Sequence, residues 1–537
     1  MSEPSKKQSF LQGTIWLAFA AAVVKVIGAF YKIPLNAIIG EQGFAYYNTA
    51  YEIYSVLMSL SIAGLPVAMS RMISQANTLG HYNQVRRTYS TARMIFMGMG
   101  LVGSLLMTLL SKQLAQFQHQ PDAWAAIACL GPCILLICTM STFRGFFQGQ
   151  GNMQPTAMSQ MLEAVCKLVV GIVAALVLLK STGSVAYAAA GAILGVTTSC
   201  VVSVIYLFCR YRKARKDLPV TYEPVMGYWQ TAKRLLSISI PIAIGSAGLS
   251  ILTMLETRVF MGQVKLFHSQ DAAEVMKGIY DMSKTIYNMP IAFITPISVS
   301  IIPAITANIT LKNHSGTRST AESAIRIAAL ISAPCAVGLF VLAEPVTGLL
   351  GGYTGEKLEL ATMLMRLLSI NLIIHATILV SNAIMQALGH ANLPVINMLL
   401  GGVLKLSAVY VLSGNQSIGI LGAPMGTTIG YLAIITLNIF TLRRCTQEPP
   451  AVVRQAVRPL LSALAMGLVV YGAYYGLHFV SDSRLILCGL PIAVGVAVYA
   501  IAVIKFKAIT REDCLLLPKG EKIAKLLHLY KERGNRL

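Results

Sequence analysis

Charge is what this sequence has least of. Only 12% of its 537 residues are Asp, Glu, Lys or Arg, 55% are hydrophobic, and the mean hydropathy is +0.65. A soluble domain carries about 25% charged residues, so a chain of this length lacks the polar surface to cover a globule in water. That excludes an ordinary soluble fold and makes the bilayer the fitting solvent. Long polar loops are also missing, and no acidic constellation suited to general acid–base work stands out. A membrane glycosyltransferase or ligase therefore fits poorly, and the chain is not expected to be an enzyme. No CxxC occurs among the ten cysteines, and Cys129 and Cys133 have no nearby His. The cysteines read as small buried residues, with no metal site and no cofactor expected.

Negative charge is scarcer than positive: 21 acidic residues stand against 43 Lys and Arg, a formal net charge of +22. Aromatic residues do not interleave with the basic clusters as a stacking platform would require, so nucleic acid is not an expected partner. The basic clusters lie instead between apolar runs, which is how membrane spans are oriented.

A span needs about 20 mostly apolar residues. Fourteen runs qualify, near 11–33, 44–69, 91–110, 123–143, 156–180, 185–209, 236–261, 279–306, 325–350, 360–388, 393–412, 418–442, 456–480 and 484–505. The first follows Lys6 and Lys7, contains Lys25, and is too long for a signal peptide, so it is read as a retained span. With the N-terminus inside, most Lys and Arg fall on the inner side, among them Arg71, Arg86, Arg87, Arg93, Arg144, the 210–216 cluster, Arg443 and Arg444. Both termini are then expected in the cytoplasm of a bacterial plasma membrane. In the basic tail, Lys522–Lys531 has Ile523, Leu526, Leu527 and Tyr530 at helical spacing, fit to lie on a membrane surface or to stand exposed.

An internal repeat sets the expected architecture. Gln148, Gly151 and Lys167 recur as Gln386, Gly389 and Lys405 with the same spacing, and Tyr47 and Tyr54 recur as Tyr280 and Tyr287 at a similar offset. Spans 1–6 thus repeat as 7–12 in the same direction. The expected fold is an all-α polytopic membrane protein of 14 transmembrane helices: two parallel-repeat six-helix lobes plus two C-terminal helices, around a central cavity. The expected segments are 1–209 (first lobe), 210–235 (basic cytoplasmic linker), 236–442 (second lobe), 443–505 (last two spans) and 506–537 (tail).

Several ionisable residues fall inside the runs: Lys25, Lys32, Glu52, Glu163, Lys167, Glu256, Arg258, Lys284, Arg366 and Lys405. Each costs about 2.5–3.5 kcal/mol at a helix centre, about 20–30 kcal/mol together, unless they pair or face water. Glu163 and Lys167 have the i, i+4 order of a pair on one helix. Lys25 and Lys32 are two turns apart on one face of span 1. Lys25, Lys32, Lys284 and Arg258 are the candidate cationic cavity. Glu52, which could pair with Lys284 across the lobes, and Glu256 are the candidate gating or ion-coupling groups. Gly64 and Pro66 in span 2, and Pro290 and Pro296 in span 8, are expected helix breaks.

The sequence resembles the multidrug/oligosaccharidyl-lipid/polysaccharide exporter superfamily, most closely its SpoVB and MurJ branch. The resemblance rests on Lys25-Val26-Ile27-Gly28 with Lys32, Gly64-Leu65-Pro66-Val67-Ala68-Met69-Ser70-Arg71, Arg144-Gly145-Phe146-Phe147-Gln148-Gly149, and Tyr280-Asp281 to Pro290. It implies an alternating-access flippase for a polyprenyl-pyrophosphate-linked glycan, with the pyrophosphate held by basic residues in spans 1 and 8 and the lipid tail accommodated by spans 13 and 14. Membrane lipids are the other implied partner; the oligomeric state is open. A coupling cation (Na+ or H+) or the membrane potential would drive it. The alternatives carried alongside are a cation-coupled multidrug exporter and a purely structural assembly partner.

Overall fold

The structure is a computed structural model that describes residues 10–62, 64–219, 222–479, 483–510 and 513. The described residues hold sixteen α-helices and two short 3-10 turns. Apolar runs in hydrocarbon can satisfy their backbone groups only internally, which selects helices. In chain order they are α1 (Phe10–Ile62), α2 (Leu65–Thr78), α3 (Tyr82–Leu109), α4 (Ser111–Phe117), α5 (Trp124–Gly149), α6 (Gln154–Thr182), α7 (Val185–Lys216) and α8 (Tyr228–Val264). They continue as α9 (Gln270–Thr310), α10 (His314–Val341), α11 (Ala343–Gly351), α12 (Gly355–Ala387), α13 (Asn392–Ser413), α14 (Gly422–Cys445), α15 (Val452–His478) and α16 (Arg484–Lys505).

Among the described residues, eleven helices are long and apolar enough to cross a membrane. They correspond to expected spans 3–7 and 9–14. Span 1 lies within α1, span 2 runs from the second part of α1 into α2, and span 8 lies within α9. Lipid-facing exposure of apolar side chains is large, as at Leu468 (76%) and Val411 (69%), the reverse of a soluble surface.

Helix α1 is not one rod. Gly40 has φ 66°, a conformation that favours glycine. Lys32 Nζ donates to Asn48 Oδ1 at 3.2 Å, and the rings of Tyr31 and Tyr47 lie 6.2 Å apart. Sixteen residues of straight helix would separate such groups by about 24 Å, so the chain folds back at Gly40.

The run expected as one span at 325–350 is divided differently. Asn313 caps α10, its Oδ1 accepting from the Gly316 amide at 2.8 Å, so the helix starts eleven residues earlier and ends at Val341. The remainder becomes the short α11. The cap outweighs the apolar count because it satisfies a donor that has no partner inside the helix.

The chain divides into two compact units, Met1–Met282 and Ser283–Leu537. The expected lobes, 1–209 and 236–442, follow the repeat, whereas these units follow packing. In the first unit α8 rests on α1, α2 and α3, with Ser59 and Ser250 hydroxyls bonded at 2.8 Å. Small residues permit the close approaches: a Cβ on Gly278 would meet the Glu41 carbonyl at 1.9 Å. In the second unit α13 pairs with α14, and α10 packs against α12 and α15. The tail helix expected at Lys522–Lys531 lies outside the described residues.

Candidate functional site

In the first unit, α1, α5 and α6 enclose a pocket of about 340 Å³. Its polar lining is Tyr31, Arg144, Gln160, Glu163 and Lys167. Arg144, read from sequence as an orienting charge, pairs with Glu163 at 3.0 Å and donates to Ser159 Oγ at 3.0 Å. The expected Glu163–Lys167 pair is therefore corrected: Glu163 takes its cation from the neighbouring helix. Lys167 instead lies over two aromatic faces, 5.3 Å from the Tyr31 ring centre and 4.7 Å from that of Tyr51. Two cation–π contacts at about 1–2 kcal/mol each offset most of the cost of placing an ammonium in the membrane. Lys32 is part-buried, bonded to Asn48 and 5.9 Å from the Phe44 ring centre. The Lys25 side chain lies outside the described residues.

A second charged cluster joins α1 to the first turns of α9. Lys277 is 1% exposed, 2.5 Å from Asp281 and 3.8 Å from Glu52. The sequence reading set Glu52 against Lys284; Glu52 also has Lys277 within ion-pair distance. Nearby, fully buried Glu274 accepts from Tyr46 at 2.5 Å and from Gln42 at 2.8 Å. Sequence reasoning missed Lys277 and Glu274 because span 8 was begun at residue 279, and it gave Asp281 no role as an ion-pair partner. The i, i+4 spacing of Lys277 and Asp281 was the available signal.

At the other end of α8, the Arg258 guanidinium donates to the Phe117 carbonyl and lies 4.0 Å from its ring centre. Lys265 and Gln270 both donate to the His119 carbonyl, Gln270 at 3.0 Å. Burial and the charges of Lys265 and Arg258 lower the His119 pKa. Arg258 thus holds a helix end in this structure. Glu256, two residues before Arg258 on the same helix, is buried.

Of the expected helix breaks, the one at Gly64 and Pro66 interrupts the chain: α1 stops at Ile62, and α2 starts at Leu65 with Pro in its first turn. Gly64 is required sterically, since a Cβ there would meet the Ser239 carbonyl at 2.2 Å. Helix α9, by contrast, runs uninterrupted through Pro290 and Pro296. Continuous hydrogen bonding on either side carries it past the prolines. The Pro296 side chain is outside the described residues.

In the second unit, Lys284 is part-buried on α9. Tyr287 and His375 Nδ1 are 3.0 Å apart with stacked rings, Tyr431 lies 5.0 Å from the imidazole, and Lys405 acts on it electrostatically. A separate cavity of about 510 Å³ lies between α9, α10, α15 and α16, walled by Pro290, Leu339, Val470, Ile492 and Val496. Its walls are almost wholly apolar, and it is large enough for part of a hydrocarbon chain.

This helical architecture, with ion pairs buried inside one bundle and an apolar cavity in another, is that of a membrane transporter. It matches the inward closed lipid II flippase MurJ with a TM-score of 0.64 at 13% identity, covering 92% of this chain and 98% of that one. It matches an inward-facing multidrug resistance MATE family transporter of the MOP superfamily with a TM-score of 0.65 at 16% identity, covering 79% and 98%. The chain is a multi-pass membrane protein of this fold. It belongs to the family of polysaccharide biosynthesis proteins, whose family model matches residues 10–310. Stage V sporulation protein B of Bacillus subtilis (strain 168) is 25% identical over 525 residues, 95% of this chain and 98% of that protein. Lipid II flippase MurJ of the same organism is 22% identical over 512 residues, 91% and 94% of the two chains.

Proposed function

We propose that this protein carries a polyprenyl-pyrophosphate-linked glycan, of the lipid II or polysaccharide-unit class, from the inner to the outer leaflet of a bacterial plasma membrane. It does so as a transporter by alternating access, with fourteen spans and both termini in the cytoplasm. The observation that carries the reading is the separation of chemistries. One unit holds a pocket lined by Tyr31, Arg144, Glu163 and Lys167; the other holds an apolar cavity against α15 and α16. The anionic head of this cargo suits the chemistry of the first, and its hydrocarbon tail that of the second. Its pyrophosphate takes charge-assisted hydrogen bonds from Lys25, Lys32 and Lys284, with Arg258 at the cavity edge. The relative named for lipid II flipping points to the same cargo class.

Glu52, held by Lys277, and buried Glu256 serve gating or ion coupling, and the break at Gly64 lets span 2 bend between states. The membrane potential, about 2.3 kcal/mol per charge per 100 mV, or a Na+ or H+ gradient drives the return of the empty cationic cavity.

The test is lipid II translocation in proteoliposomes by the wild type, Lys25→Ala and Lys32→Ala. Translocation by the wild type and its loss in both variants is the expected result. A folded wild type that moves no polyprenyl-pyrophosphate glycan but exports cationic dyes in a Glu256-dependent way would replace this reading with multidrug export.

A further inference from the structure

A cavity of about 640 Å³ opens in the first unit where α3, α5 and α7 meet, away from the residues assigned to cargo. Its floor is aromatic and rigid. Tyr89 and Tyr211 stack with ring centres 4.3 Å apart, both buried, and Phe143 lies 5.4 Å from Tyr211. Its rim is cationic: Arg93 comes from α3, and Arg212, Arg215 and Lys216 from α7, all exposed. None of these four has a carboxylate within 4.0 Å among the described residues. The nearby charged groups are engaged elsewhere: Glu223 accepts from the Asn83 amide at 2.7 Å, and Arg86 donates to the Leu218 carbonyl at 2.8 Å.

Position identifies the ligand class. The 32 residues of α7 make a rod of about 48 Å, longer than the hydrocarbon thickness of about 30 Å, so its basic end stands at headgroup level. Below the rim the wall turns apolar and opens sideways, with Met97 and Phe208 45% and 46% exposed. Orienting charges and a helix C-terminus by themselves call for cations on α7. They do not call for Arg93 on a different helix, or for an aromatic-floored cavity beneath. A soluble anion would leave the apolar wall unused.

We propose that this cavity binds the phosphate headgroup of an anionic glycerophospholipid from the leaflet on the basic side of the protein, with its acyl chains along Met97 and Phe208. The site is independent of the cargo route. A bound lipid there ties α3 to α7 and makes the protein responsive to the anionic lipid content of its membrane.

The experiment is native mass spectrometry of the full-length protein in neutral detergent, titrated with phosphatidylglycerol and with phosphatidylcholine. Each basic residue near an anionic surface contributes about fivefold in affinity. Phosphatidylglycerol should therefore bind well over tenfold more tightly than phosphatidylcholine, and an R93Q/R212Q/R215Q variant should lose on the order of 100-fold of that binding. Lys32→Ala should retain it. Equal binding of the two lipids by the wild type would overturn the proposal without recourse to any variant. So would undiminished phosphatidylglycerol binding by the triple variant. Preferential displacement of phosphatidylglycerol by a polyprenyl pyrophosphate would assign the cavity to the cargo instead.

Discussion

In the first unit, ion pairs join helices alongside neutral contacts such as Ser59 with Ser250. Arg144 with Glu163, and Lys277 with Asp281 and Glu52, link α5 to α6 and α9 to α1. In the second unit an amide network joins three helices, while Glu322 and Arg326 tie α10 to α15. Asn438 donates to Ser381 and Asn382, and Asn397 donates to Asn438, all at 2.9 Å, which knits α12, α13 and α14 without a charge. Its prominent bidentate ion pair, Arg326 with Asp513 at 2.6 and 2.8 Å, lies beyond the C-terminal end of α16. The difference is one of adaptability. A buried ion pair loses heavily when one partner is removed but can exchange partners. An amide network has fixed geometry and modest strength inside a membrane. The charged cluster of the first unit can therefore exchange partners, whereas the amide network of the second is fixed in geometry.

The sharpest way to break this comparison is Lys277→Ala. It removes the ammonium shared by Asp281 and Glu52, both nearly buried, and should destabilise the protein by about 3–5 kcal/mol in reversible unfolding in detergent. A loss below that of an amide deletion would show that the charged cluster is not structural. Gly64→Ala comes next. Its Cβ would press on the Ser239 carbonyl, and overpacking of this kind costs about 1–3 kcal/mol. Unchanged thermal stability would mean that α2 and α8 separate freely. Asn438→Ala should cost only about 1 kcal/mol, and a double-mutant cycle with Asn397→Ala should show coupling between the two sites.

The smallest effect is set by His119. Its pKa is lowered from the ordinary 6.5 in the folded protein, so the unfolded chain binds the extra proton more readily. Stability then falls as pH drops through about 6.5 toward the folded value. Thermal stability measured from pH 7.5 to 5 should decline slightly in the wild type, and by less in His119→Gln. Because the ring is part-exposed and flanked by Lys265 and Arg258, raised salt should weaken the effect.

Much of the architecture was legible along the chain, because one property dominated it. Apolar runs of membrane length placed the eleven clear spans, and the gap between the first two runs contains the Gly40 turn. Misplacements arose where a local cap outweighed composition, as at Asn313, or where a charged turn lay at a helix start, as at Lys277. The candidate site was legible only as a set of residue types. Lys32, Glu52 and Glu256 were singled out because a charge in hydrocarbon needs a reason, but the contacts of Lys32 with Asn48 and of Glu52 with Lys277 were not foreseen.

The sequence alone determined the solvent, the helical class and the orientation signal, since burying backbone and placing basic residues depend only on residue type and order. Which charge meets which was decided by the tertiary structure. Spacing of i, i+4 sees a single helix and paired Glu163 with Lys167. Packing of three helices gave Glu163 to Arg144, enclosed Lys167 between Tyr31 and Tyr51, and brought Lys277 to Glu52. In a low-dielectric interior the nearest well-oriented partner prevails: the rings over Lys167 come from more than a hundred residues away, whereas Lys277 keeps its i, i+4 partner Asp281 and adds Glu52 from more than two hundred residues away.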